Sequence, residues 1–271
     1  MVSERMQIVP FIQKDTRLYA AQLMRGMFPG YSDRLGRINM ENVKERDHVY
    51  STLEEFSKDV NKQEVTRLVH AHKSQNGVLY DETFKIQPCK GHGPVYPAEY
   101  GVPENLYRQS GYSDGELGFF LGVKKDDTLR WLSLLSFNTR AETAEDLEIE
   151  DIVGQMPSAP DALTVVQLQA VEKGSQKTER NMLAQFQWGY VMLSLFLTWA
   201  QRQQISCVDV VPGEYNTWLS GEDDARKQIF LQRYDTPARN IGFRRQLDAY
   251  KQPIGLYTYP LSYPNFHLGT K

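Results

Sequence analysis

Cysteine is nearly missing from this chain of 271 residues, with Cys89 and Cys207 its only two. So few thiols exclude the disulfide framework of a small secreted scaffold and point to a reducing compartment, the cytoplasm. Charge of one sign is not in excess either. Lys and Arg number 31 against 34 Asp and Glu, a formal net charge of -3. That balance offers no basic field of the kind nucleic-acid binding draws on. The apolar run at residues 190–200 falls short of the ~20 residues a bilayer-spanning helix needs. Residues 1–5 carry no apolar signal region, so export through a cleaved leader is not expected. Internal repeats and low-complexity tracts are missing too.

What remains is ordinary for a soluble protein, with 41% hydrophobic and 24% charged residues. The length suffices for a large core, and the expected organisation is a single domain over residues 1–271. The stretch that organises it runs from residue 185 to 211. Phe186, Tyr190, Leu193, Leu197 and Ala200 follow helical spacing, and Val191, Leu195 and Trp199 are apolar as well. Such a narrow polar face predicts a helix buried on most sides, over residues 181–203. A β-branched strand at 205–211 follows it.

Ahead of that stretch, residues 6–12 read as a proline-bearing edge strand. An amphipathic helix follows, stopping at Phe28-Pro29-Gly30. Residues 47–75 keep helical spacing through Tyr50, Leu53, Phe56, Val60, Val65, Leu68 and Val69. Residues 76–115 are dominated by glycine, proline and tyrosine and read as irregular. A β-hairpin is expected from strands 116–123 and 129–137, and residues 163–171 form the clearest strand. Further helix is expected at 223–233. Ile241-Gly242-Phe243 then opens an extended region that continues through residues 250–263. The whole predicts an α/β (α+β) fold, a mixed and mostly antiparallel central sheet flanked by helices.

His70, His72, Cys89 and His92 are four metal-ligand types within a short span. Their spacing fits no standard zinc pattern, and two histidines in His-x-His on a helix face different ways. No metal site is assigned.

Three stretches carry a resemblance to the GNAT acyltransferase superfamily. Ile8-Val9-Pro10-Phe11 with Lys14-Asp15 and the helix beyond resembles its first strand and helix. Gly189-Tyr190-Val191-Met192-Leu193, Thr198-Trp199-Ala200 and Ile205 to Val210 resemble its third helix and fifth strand. Asn216, Pro237-Ala238 and Ile241-Gly242-Phe243 resemble its late signature. The likeness omits residues 31–115, which would be a large insertion after the first helix, packed over the open end of the sheet.

The resemblance implies a GNAT-like fold in which the strand before the central helix splays from its neighbour. The arm of an acetyl-CoA donor then pairs with the exposed backbone at Leu168, Gln169, Ala170 and Val171. It also implies that the donor pyrophosphate rests on amides of Gln187, Trp188, Gly189, Tyr190 and Val191, where a helix start favours anions. Asn216 completes the donor contacts. The acceptor is an amine, carried by a small molecule or a protein. Transfer to it needs a base and an acid, for which Glu172 and Tyr234 are the candidates. The chain departs from the family pattern at Ala184 and Gln187 in the phosphate loop, and at Ala238, where many members carry the acidic tyrosine. Two functions therefore stand, an acyl-CoA-dependent N-acyltransferase and a non-catalytic GNAT-like binding or structural module.

Overall fold

The computed structural model describes residues 40–62, 64–73, 83–91, 93–95, 111–125, 128–139, 162–170, 182–215, 224–247 and 253–261. The strand expected at residues 6–12, the helix after it, Val171, Glu172 and Asn216 lie outside the described residues.

Helices α1 (Met40–Val60) and α2 (Glu64–Ala71) come first, then strands β1 (Thr83–Lys90), β2 (Gly93–Val95) and β3 (Gly111–Ser113). The hairpin β4 (Leu117–Lys125) and β5 (Thr128–Asn138) follows, and then β6 (Leu163–Ala170). Helix α3 (Trp188–Arg202) leads to β7 (Cys207–Val210) and a 3-10 turn (Gly213–Tyr215). Helix α4 (Asp224–Ile241) and strands β8 (Arg244–Leu247) and β9 (Pro253–Pro260) close the described chain. Seven strands form one sheet in the order β1-β4-β5-β6-β7-β9-β8, while β2 and β3 pair separately. Among the described strands of that sheet only β6 and β7 run parallel. This is the mixed, mostly antiparallel α+β architecture expected from the sequence.

The helices bury their apolar stripes in one shared core. Leu53, Phe56 and Val60 of α1 and Val65 and Val69 of α2 recur at helical spacing and meet Phe84 and Ile86 of β1. Along α3, the residues Val191 to Leu197, Trp199 and Ala200 are all buried. The aromatic rings of Phe137, Phe196 and Trp199 interlock at 4.6–5.6 Å beneath it. On the opposite face of the sheet, Cys89, Leu134, Phe120 and Trp131 form a second cluster. The Phe120 and Trp131 rings stack there at 3.8 Å.

The structure corrects several expectations. Residues 83–90, read as irregular, are β1. Phe84 and Ile86 alternate with Lys85 and Gln87, and Pro88 is tolerated because its side of the strand faces away from β4. That outward side is closed by α1 and α2. Asn61 Nδ2 donates to the Ile86 carbonyl at 2.9 Å and Asn61 Oδ1 accepts from Ile86 N–H at 2.6 Å. Thr66 Oγ1 accepts from Phe84 N–H at 3.3 Å. The helix expected over 47–75 is two, interrupted by the turn at Asn61 and Lys62. The one expected over 181–203 breaks at Phe186, which bridges to Lys73, and α3 starts at Trp188.

Ile241-Gly242-Phe243 closes helix α4 and leads straight into β8, so the extended region expected from residue 241 begins at Arg244. Gly242 takes φ +111°, and its N–H reaches the carbonyls of Ala238 and Arg239 while Phe243 N–H reaches Ala238. This is the Schellman closure, which wants a residue without a Cβ at the left-handed position. Helix α3 ends in the same way with Gln204 at φ 59°: Gln204 N–H donates to Gln201 and Ile205 N–H to Ala200.

Candidate functional site

The parallel pair β6 and β7 sets the geometry. They are in register only at Leu163–Val208, Thr164–Asp209 and Val165–Val210, and Val211 N–H then donates to the Val165 carbonyl at 3.0 Å. β7 stops there, whereas β6 runs on to Ala170. Past that point the chain leaves β7 through Pro212 into the 3-10 turn, so the two parallel strands part above Val165.

The extended part of β6 is anchored on its other side. Gln167 donates through Nε2 to the Tyr112 carbonyl at 2.8 Å and to Gln169 Oε1 at 2.7 Å. Its Oε1 accepts from Ser136 Oγ at 2.9 Å and from Asp114 N–H at 3.1 Å. All the bonding capacity of its amide is thereby used, which suits a buried polar side chain. Leu168 and Ala170 point into the core shared with α3. In β7, the buried Asp209 carboxylate accepts from Thr258 Oγ1 at 2.8 Å.

At the start of α3, the amides assigned to a pyrophosphate have protein partners in three cases. Gln187 N–H donates to the His72 carbonyl, Trp188 N–H to Phe186 and Val191 N–H to Gln187, each at 2.9–3.1 Å. The cap residue Gln187 makes no side-chain capping bond. Gly189 is buried against α4: a Cβ built on it would stand 2.9 Å from Pro237 Cγ. Trp188 is half-buried against the core. The Tyr190 ring lies 4.3 Å from the imidazole of His72, whose burial lowers its pKa.

Tyr234, the candidate acid, is only 2% exposed and belongs to the core. Its neighbour Asp235 does more. The Asp235 carboxylate, 5% exposed, accepts from Gly213 N–H at 2.9 Å and from the Tyr257 hydroxyl at 2.8 Å. Burial first, and then this bond to Asp235, push the Tyr257 phenol up to about 12. Arg245 lies alongside, its guanidinium 5.2 Å from the Tyr215 ring and 5.5 Å from that of Tyr257. It ion-pairs through Nη1 with Glu214 at 2.6 Å and donates through Nη2 to the Tyr215 hydroxyl at 3.0 Å.

This cluster ties α4, β8 and β9 to the turn just past β7, and nothing in the sequence reading anticipated it. Its members come from four separate segments, so no spacing signals them. A hint lies in Asp235 itself, a carboxylate placed between the apolar positions Tyr234 and Ala238 of one helix.

Of the four metal-ligand side chains singled out in the sequence, His92 lies outside the described residues. Cys89 is buried with Phe120 and Trp131, its thiol pushed up by burial, while His70 is exposed near the end of α2. Among the described residues no group of His, Cys, Asp and Glu could hold a metal ion, and no helix is long and apolar enough to cross a membrane. Comparison with protein-family models, curated proteins and solved structures returns no match.

Proposed function

We propose that this chain is an acyl-CoA-dependent N-acyltransferase of the GNAT type, moving an acetyl group from acetyl-CoA to an amine. The observation that carries the reading is the parting of β6 from β7 directly before a buried helix. A strand that outruns its parallel partner can take an extended amide-bearing arm along the edge past Val165, as β-augmentation does. The thioester would then lie near Leu168 to Val171. A deprotonated amine attacks its carbonyl carbon, the C–S bond breaks, and the thiolate leaves and takes up a proton. Glu172, just beyond β6, is the base in this scheme. Tyr234 serves as the acid only if α4 tilts out of the core, because its phenol is shut in. Two free, buried cysteines suit a cytoplasmic site of action.

A second reading, a non-catalytic GNAT-like module, is favoured by one observation. Gly189 is covered by Pro237, and most of the amides meant for a pyrophosphate are already bonded. Calorimetry and thermal unfolding with acetyl-CoA separate the two. Binding to the folded state alone, at 100 times the dissociation constant, adds about 2.7 kcal/mol. No heat of binding and no shift in midpoint would favour the module.

A further inference from the structure

The Arg245 pairing is unusual for a buried cation. Its side chain is 5% exposed, and its Nε has no hydrogen-bond partner. A planar guanidinium is best satisfied by a two-pronged oxyanion, and a buried N–H left without an acceptor is destabilising. Here the single carboxylate partner, Glu214, engages one nitrogen only, and its side chain is 45% exposed. The backbone under Glu214 is held independently, since Asp235 grips Gly213 N–H. The carboxylate can therefore swing into water by rotation about its own bonds while the turn stays in place.

We propose that Arg245 is the cationic floor of an oxyanion site that takes the phosphate or carboxylate group of a small ligand, with Glu214 as its built-in competitor. The incoming oxyanion displaces Glu214 from Nη1 and accepts its second bond from the second hydrogen of Nη2. Tyr215 lies beside it, its hydroxyl already bonded to Nη2. The tethered glutamate sets a threshold, because a side chain on a short tether competes at an effective concentration in the millimolar range. The proposal does not rest on the acyltransferase reading, and no CoA compound enters its test.

The test is calorimetric titration of inorganic phosphate and, separately, of acetate into the full chain at constant ionic strength. Glu214→Gln is expected to bind at least one of the two anions ten-fold or more tightly than the parent. Preference for one over the other identifies the group as phosphate or carboxylate. Adding Arg245→Lys to Glu214→Gln is expected to abolish the gain. Unchanged affinity for both anions in Glu214→Gln overturns the proposal and leaves a structural ion pair, and so does a gain that survives Arg245→Lys. Should the lysine variant fail to fold, the nitrogen resonance of Arg245 Nε in Glu214→Gln answers the same question. It must move on adding the anion, and a resonance that stays in place overturns the proposal.

Discussion

Gly189 and Pro237 face each other across the α3–α4 contact, where a Cβ on residue 189 would stand 2.9 Å from Pro237 Cγ and 3.6 Å from the Arg233 carbonyl oxygen. The two residues explain one another. Pro237 lies inside α4 and has no N–H to offer the carbonyl four residues back, and its ring stands out from the helix surface. Only a neighbour without a side chain leaves room for that turn. The glycine that would give a donor phosphate its approach therefore seats a proline.

Gly189→Val should accordingly destabilise the fold by overpacking, by about 1–3 kcal/mol. In a Pro237→Ala background the same change should cost less, with a coupling of about 0.5 kcal/mol or more between contacting sites. Urea unfolding of the four proteins in the cycle measures it. Strict additivity would remove the contact from the explanation.

Tyr257→Phe takes one of two donors from the buried Asp235 carboxylate, and a loss of about 1–3 kcal/mol is expected. The parent should also carry an alkaline signature. The folded phenol titrates at about 12 against an ordinary 10.0, so the fold prefers the protonated form. Stability from that preference is complete below pH 10 and lost as pH rises from 10 towards 12. Midpoints of chemical unfolding should show a smaller alkaline decline in Tyr257→Phe than in the parent.

His72 should act at the other end of the scale. Burial lowers its pKa from the ordinary 6.5, so the fold prefers the neutral ring that packs on Tyr190. Its contribution is present above pH 6.5 and falls away as pH drops through the folded value. His72→Phe keeps a ring against Tyr190 and removes the proton uptake. A urea midpoint that declines equally in both proteins between about pH 7 and pH 5 would assign the acid sensitivity elsewhere.

Gln204→Gly should stabilise the protein. The left-handed conformation costs an L-residue about 1–2 kcal/mol, and glycine gives back about 0.5–1 kcal/mol through a freer unfolded chain. The Gln204 side chain is exposed, so no packing is lost. A net gain of roughly 0.5–1 kcal/mol in thermal or urea unfolding is expected.

Much of this fold could be read before it was seen, for local reasons. Leu163 to Ala170 carries the β-branched run Thr164-Val165-Val166 in a largely apolar segment, Leu193 to Ala200 repeats at helical spacing, and the polar Lys124 to Asp127 divides two apolar runs. What escaped depended on partners distant in sequence. Phe84 and Ile86 alternate correctly, but Pro88 and the glycines after it masked a strand whose edge is completed by Asn61. Gly242 has the letters of a strand start, and only the backbone bonds to Ala238 and Arg239 reveal a helix end. The candidate site fared likewise. Leu168 and Ala170 lie on the strand that outruns β7, and Tyr234 is shut in the core. The cluster around Asp235 and Arg245 assembles from residues that no motif links.

The amide of Asn61 offers Ile86 the donor and acceptor that another backbone would bring, so β1 meets a counterfeit neighbour in place of a real one. A filament of stacked sheets lengthens only while each subunit presents two matching ends, and capping one end terminates growth whatever the state of the other. The pair of side chains Asn61 and Thr66 thus limits how far copies of this sheet can extend one another. It acts as a chain terminator does in polymer chemistry.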